Sequence, residues 1–286
     1  MTLLTLGSSA TLAHIVTRPR HLRAIASREI DATVEEITFR TPDALTLGGW
    51  YLPCASARDL LIICHGYAMN RHELLDLAQA LRERGHAVLL FDFRAHGSSG
   101  GVRSTIGYRE AGDIIAAIDW AAAHPALAGL PIGVAGISMG AAASLLAAAR
   151  EPRIAAVAAD SSFAALAESA TGSLRVLCHP AAVPLGPLII RFSEILTSAR
   201  IGINRPIDAI AAIAPRPVLI IHDTEDHFIP VQNAFALHEA AGEPKALWVQ
   251  PGRGHASLWL CRADDYVERL DQFFAGSLTA TRPQVA

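Results

Sequence analysis

The chain has 286 residues, 51% of them hydrophobic and 18% charged, which is enough apolar material for one large α/β core and excludes a disordered polymer. A formal net charge of −3 gives no global pull toward nucleic acid or an anionic membrane. The four cysteines, Cys54, Cys64, Cys178 and Cys261, show neither zinc-ligand spacing nor a disulfide framework, which fits reduced thiols in a cytoplasmic protein.

In chain order, the first segment is mildly apolar but lacks a basic leader. It is interrupted by Gly7, Ser8, Ser9 and His14, and falls short of the ~20 residues a membrane span needs. Residues 1–36 are expected to form an N-terminal arm packing on or beside the core, with Arg18, Arg20, Arg23 and Arg28 as a solvated face. From residue 37 the pattern alternates. Ile37–Thr41 and Leu45–Leu52 read as a hairpin turning at Pro42-Asp43, and Leu60–Cys64 as a strand buried on both faces. Leu74, Leu77, Ala78 and Leu81 line one face of a helix over Arg71–Arg84, which Gly85 ends.

Strand Ala87–Phe91, helix Glu110–Ala123, strand Ile132–Ile137, helix Met139–Arg150 and strand Ile154–Ala158 continue the alternation. Strands Val218–Ile221 and Leu247–Val249, with helices Val231–Ala241 and Asp265–Phe274, complete it. Repeated β-α-β units predict one α/β domain over 37–278, with a short tail at 279–286. Its central sheet is expected to be mostly parallel, with helices on both faces. Residues 164–206 break the rhythm. Short helices at Leu174–Cys178 and Leu188–Leu196, interrupted by prolines, read as a small helical lid over the carboxyl edge of the sheet.

The most informative stretch is Gly136-Ile137-Ser138-Met139-Gly140, a serine between a buried strand and a helix of small residues. On such a turn the hydroxyl is pushed out above the sheet, and the flanking glycines leave room for the bend, so Ser138 is a candidate nucleophile. A serine needs a base to take its proton and a third group to orient that base; in this setting they follow in the order acid, then histidine. The acids at strand ends are Asp160, Asp223, Glu225 and Asp226, of which Asp226, ahead of Phe228-Ile229-Pro230, is the preferred choice. Of the later histidines, His227 adjoins the acid and His238 falls in a helix, whereas His255 sits in a glycine-rich loop after the last strand. The oxyanion donors are expected to be the N–H of Met139 and that of Tyr67 in the loop His65-Gly66-Tyr67-Ala68.

Those landmarks, with Asp92-Phe93-Arg94-Ala95-His96-Gly97-Ser98-Ser99, Tyr108–Asp113 and Asp160-Ser161-Ser162-Phe163, resemble the α/β-hydrolase superfamily. Within it the chain is similar to the dienelactone-hydrolase-like and prolyl-oligopeptidase-like serine hydrolases. The resemblance implies the α/β-hydrolase fold, Ser138-Asp226-His255 as triad, and no metal or organic cofactor. It departs at Ala68, Ala95 and Asp223, where relatives often carry glycine; the alanines are expected to have negative φ. Dienelactone hydrolases proper use a cysteine where this chain has Ser138, which argues against that activity. The expected reaction is cleavage of a carboxylic ester of small to medium acyl length, with Tyr67, Phe163 and Leu166 lining an apolar acyl pocket. The alternatives are a peptidase, amidase or thioesterase acting on a short peptide-like or related substrate, and a non-catalytic binding module.

Overall fold

The computed structural model describes residues 3–19, 33–170 and 180–279. Eight strands form one sheet: β1 (Glu35–Arg40), β2 (Thr46–Leu52), β3 (Leu60–Cys64), β4 (Ala87–Phe91), β5 (Ile132–Ile137), β6 (Ile154–Asp160), β7 (Val218–Asp223) and β8 (Lys245–Gln250). Their spatial order is β1-β2-β4-β3-β5-β6-β7-β8. The hairpin β1–β2 is antiparallel, as is the β2–β4 pairing. Every later pairing is parallel. The principal helices are α1 (Leu3–Val16), α2 (Leu75–Glu83), α3 (Glu110–Ala123), α4 (Met139–Ala148), α5 (Gly186–Thr197), α6 (Gln232–Ala240) and α7 (Ala263–Thr279).

The strands sort their side chains by parity, because successive residues point to opposite faces. Leu60, Ile62 and Cys64 join one core cluster with residues of α3, α4 and α6. Leu61 and Ile63 join the other, with residues of α2 and α7. The α7 helix lies so close to β5 that a Cβ on Gly133 would come within 2.6 Å of the Phe274 ring. Glycine is what permits this approach. At the amino edge of the sheet, Asp271 of α7 is tied to Arg58 and to buried His86, which also meets Asp59.

The helix expected over Arg71–Arg84 begins instead as a 3-10 turn at Arg71–Leu74 and becomes α2 only at Leu75. Two side chains cause this. Asn70 caps the turn by accepting from His72 N–H, and Asp92 draws off the N–H of Arg71 at 2.8 Å. Ala68 and Ala95 overturn the expectation of negative φ: they stand at +59° and +62°. Neighbouring histidines hold both bends, as described below.

Of the irregular stretch 164–206, Leu174–Cys178 lies outside the described residues. The second expected helix is α5, whose Ile189 packs against Ala13 of α1 in a small apolar cluster with Leu12, Val16, Phe192 and Leu196.

Candidate active site

Parallel strands deliver six loops to one edge of the sheet, those after β3, β4, β5, β6, β7 and β8. At the end of β5 the chain turns so sharply that Ser138 adopts φ 55°, ψ −116°, a conformation that only a constrained turn holds in a non-glycine residue. A Cβ on Gly140 would lie 2.5 Å from the carbonyl oxygens of Cys64 and His65, and one on Gly136 would run into the Gly140 carbonyl. Both glycines are therefore steric requirements. The Ser138 N–H donates to the Asp160 carbonyl at 2.8 Å, which pins the turn to β6.

Three side chains from separate loops meet above this turn. His255 Nε2 is 2.8 Å from Ser138 Oγ, and His255 Nδ1 is 2.7 Å from Asp226 Oδ2. With the proton on Nδ1, the imidazole donates to the carboxylate and offers Nε2 to the serine hydroxyl. That tautomer is the one a general base requires. Asp226 is held in turn: its Oδ1 accepts the N–H groups of Phe228 at 2.9 Å and Ile229 at 2.8 Å. The Phe228 ring lies 4.8 Å from the imidazole, screening one flank.

The other acids have other partners. Asp223 Oδ1 accepts from the N–H groups of Glu225 and Gly252, and its Oδ2 from Gly254 N–H and the Ser257 hydroxyl. Burial opposes charge here, but these hydrogen bonds outweigh it and hold the carboxyl below its ordinary range. Asp160 is buried under the site, accepting from Ser161 Oγ at 2.9 Å and from Tyr266 OH at 3.0 Å. Burial pushes its carboxyl up to about 6.

Tyr67 belongs to the loop after β3, which passes directly over Ser138: a Cβ on Gly66 would be 3.4 Å from Ser138 Cβ. Met139, whose N–H opens α4, is buried beside it. Two histidines that the sequence reading did not assign hold this loop. His65 Nδ1 donates to Gly66 O at 2.7 Å and its Nε2 accepts from Phe93 N–H. His96 Nδ1 donates to Arg94 O, while its Nε2 accepts from Ala68 N–H at 3.2 Å. Burial, aided by the neighbouring His96, drives the pKa of His65 down to about 3, so the ring stays neutral. Histidines immediately after β3 and in the loop after β4 were the available signal.

Phe163 and Leu166 fall in an apolar cluster with Ala142, Ile229, Ile106 and Phe228. Phe163 is only 2% exposed, so it stands within the wall, while Leu166 and Ile106 are half-buried at its surface. Glu110 shapes the adjoining loop by accepting from Ser104 Oγ and the N–H groups of Thr105 and Gly107. Asn204 Nδ2 reaches across from the insertion to Ile106 O at 2.6 Å. The arm meets the same region: Tyr67 OH donates to Ile15 O at 3.5 Å, and Ser104 N–H to Thr17 O at 2.9 Å. Among the described residues no His, Cys, Asp and Glu side chains are grouped to hold a metal ion. No described helix is long and apolar enough to cross a membrane.

Comparison with known proteins places this geometry. The sequence profile of the X-Pro dipeptidyl-peptidase (S15) family matches residues 17–186. The protein YqkD of Bacillus subtilis is 30% identical over 244 residues, spanning 84% of this chain and 79% of its own. YfhR of Escherichia coli is 30% identical over 260 residues, 88% of this chain and 83% of its own. Among solved structures, the Pyrococcus furiosus esterase Pf2001 superposes with a TM-score of 0.76 at 25% identity, covering 92% of this chain and 98% of that one. The architecture is the α/β-hydrolase fold.

Proposed function

The chain belongs to the X-Pro dipeptidyl-peptidase (S15) family of serine hydrolases, and from that premise we propose that it cleaves carboxylic esters of small to medium acyl length through an acyl-enzyme. The observation that carries the proposal is the unbroken chain Ser138 Oγ–His255 Nε2, His255 Nδ1–Asp226 Oδ2, beside a wall of apolar side chains.

In this reading His255 takes the Ser138 proton as Oγ attacks the ester carbonyl, and Asp226 stabilises the imidazolium that forms. The tetrahedral oxyanion is met by the N–H groups of Tyr67 and Met139; each such donor is worth roughly 2.7–4 kcal/mol in the transition state. The imidazolium returns its proton to the departing alcohol oxygen as the C–O bond breaks. Water, deprotonated by the same imidazole, then attacks the acyl-enzyme, and the carboxylic acid leaves as Ser138 regains its proton.

The acyl group would lie against Ile106, Leu166 and Phe228, with Tyr67 on the opposite side. Residues 164–206 would act as the lid and residues 1–36 as an arm bracing it. The free thiols of Cys54, Cys64 and Cys261 fit a reducing, cytoplasmic setting.

Family membership favours a second reading, release of a dipeptide from a peptide amino terminus. Such an enzyme must bind an ammonium group, whereas an ester of intermediate chain length needs only an apolar wall such as Ile106, Leu166 and Phe228. A panel of p-nitrophenyl esters of increasing chain length, run beside aminoacyl and X-Pro anilides, separates the two. Esters are expected to turn over faster, with a maximum at intermediate chain length, and Ser138→Ala is expected to abolish the rate. Faster anilide turnover would replace the esterase reading with the peptidase one.

A further inference from the structure

The carboxylate of Asp223 does not touch His255, yet it organises the loop that carries it. Asp223 Oδ1 accepts Gly252 N–H at 2.9 Å, and Oδ2 accepts Gly254 N–H at 2.9 Å and the Ser257 hydroxyl at 2.7 Å. The Ser257 oxygen in turn accepts Arg253 N–H at 2.7 Å. Three successive amide donors, residues 252, 253 and 254, thus converge on one buried anion and its hydroxyl relay. Such a run of N–H groups forms a concavity suited to an anion. Here the anion is part of the protein. Its other Oδ1 partner, Glu225 N–H at 2.8 Å, ties the same carboxylate to the loop that carries Asp226.

The fit is tight on the glycine side as well. A Cβ at residue 252 would collide with the Asp223 carboxylate and come within 2.7 Å of Ser257 Oγ. Gly254 stands at φ +108°, open to glycine, and Ala256 at +54°, which strains a side-chain-bearing residue, so the backbone turns sharply on both sides of His255.

We propose that Asp223 is a positioning residue for the reaction, an internal anion that fixes the His255 loop and the Asp226 loop in one register, with Gly252 as its obligatory steric partner. The inference rests on the serine-hydrolase reading for its catalytic half. Replacing the carboxylate with an amide turns one of its two acceptor atoms into a donor facing N–H or O–H groups. His255 then loses its placement over Ser138 while the substrate wall is untouched.

The test combines three measurements on the full chain. In Asp223→Asn, kcat on the best ester and the rate of fluorophosphonate labelling should both fall by about 100-fold, the scale of a 1 Å misplacement. KM should stay within about twofold, since uniform binding is unchanged. Amide hydrogen exchange should lose protection at Gly252 and Gly254. Folded Asp223→Asn protein with wild-type labelling and kcat would overturn the proposal. So would a fall confined to KM.

Gly252→Ala alone covers the case in which Asp223→Asn fails to fold, and a double-mutant cycle tests the pairing. Gly252→Ala alone should slow labelling by at least about tenfold, yet add less than about twofold in an Asp223→Gly background, because the colliding carboxylate is gone and the Ser257 hydroxyl, released from it, can turn away. Additive effects would overturn the pairing. Wild-type protein that neither labels nor turns over an ester removes the hydrolase reading and with it the catalytic half. A labelled wild type whose Asp223 variants behave normally removes only this inference.

Discussion

The two loops that bring Ser138 and His255 together are held by opposite means. The Ser138 turn is fixed by absence: Gly136 and Gly140 let three backbone segments close to distances that no Cβ tolerates. The His255 loop is fixed by presence, a buried carboxylate that takes up amide groups which would otherwise lack partners. Steric fixation tolerates no enlargement and is indifferent to pH. Polar fixation depends on one ionised group and on every donor around it.

Variants in the two loops can break this contrast. The largest effect should come from Ser138→Ala, which removes the proposed attacking oxygen and should lower kcat by about 10⁶-fold with little change in stability. A stopped-flow burst assay with an activated ester checks it, and residual turnover within 100-fold of wild type would place the nucleophile elsewhere. Next, Gly140→Ala drives a methyl group into the Cys64 and His65 carbonyls and should destabilise the fold by about 3 kcal/mol, read as a lower urea midpoint.

A second buried carboxylate, beneath both loops and favoured in its neutral form, carries the pH dependence. Asp160 titrates near 6 in the folded protein against 3.8 when unfolded. The folded state therefore binds the proton first, and this group's contribution is most favourable below 3.8 and is lost as pH rises through about 6. At pH 8 the penalty is about 3 kcal/mol, and Asp160→Asn should flatten that part of the stability curve. Unchanged curvature in urea melts at pH 5 and pH 8 would rule this out. The smallest effect tests the strained alanines. Ala68→Gly or Ala95→Gly, at φ +59° and +62°, should raise stability by about 0.5 kcal/mol, because relief of left-handed strain slightly exceeds glycine's gain in unfolded-state entropy.

The same contrast explains what was readable in advance. Strand Leu60–Cys64 and the Gly-x-Ser-x-Gly turn announce themselves because burial and close approach dictate residue type locally. So does the order of Ser138, Asp226 and His255, since parallel topology brings successive strand ends to one edge. The work of Asp223 was not readable, because a carboxylate after a strand serves equally well as an acid, a cap or an anchor until its donors are placed. His65 and His96 hide for the same reason: each acts on backbone atoms of another loop. The positive φ of Ala68 ran against residue preference; the His96 acceptor on its N–H and the Met69 N–H to Gly66 O bond span that turn.

The buried neutral ring of His65 has a consequence for how this protein meets acid. Its pKa is about 3 when folded and 6.5 when unfolded, so between those values the unfolded chain takes up a proton that the native loop refuses. The His65 contribution therefore drains by as much as ~1.4 kcal/mol per pH unit on the way down, against the gain from Asp160 between about 6 and 3.8. Acid therefore reaches the loop over Ser138 through a fully buried ring that touches no substrate, because His65 Nε2 must stay unprotonated to accept the Phe93 N–H.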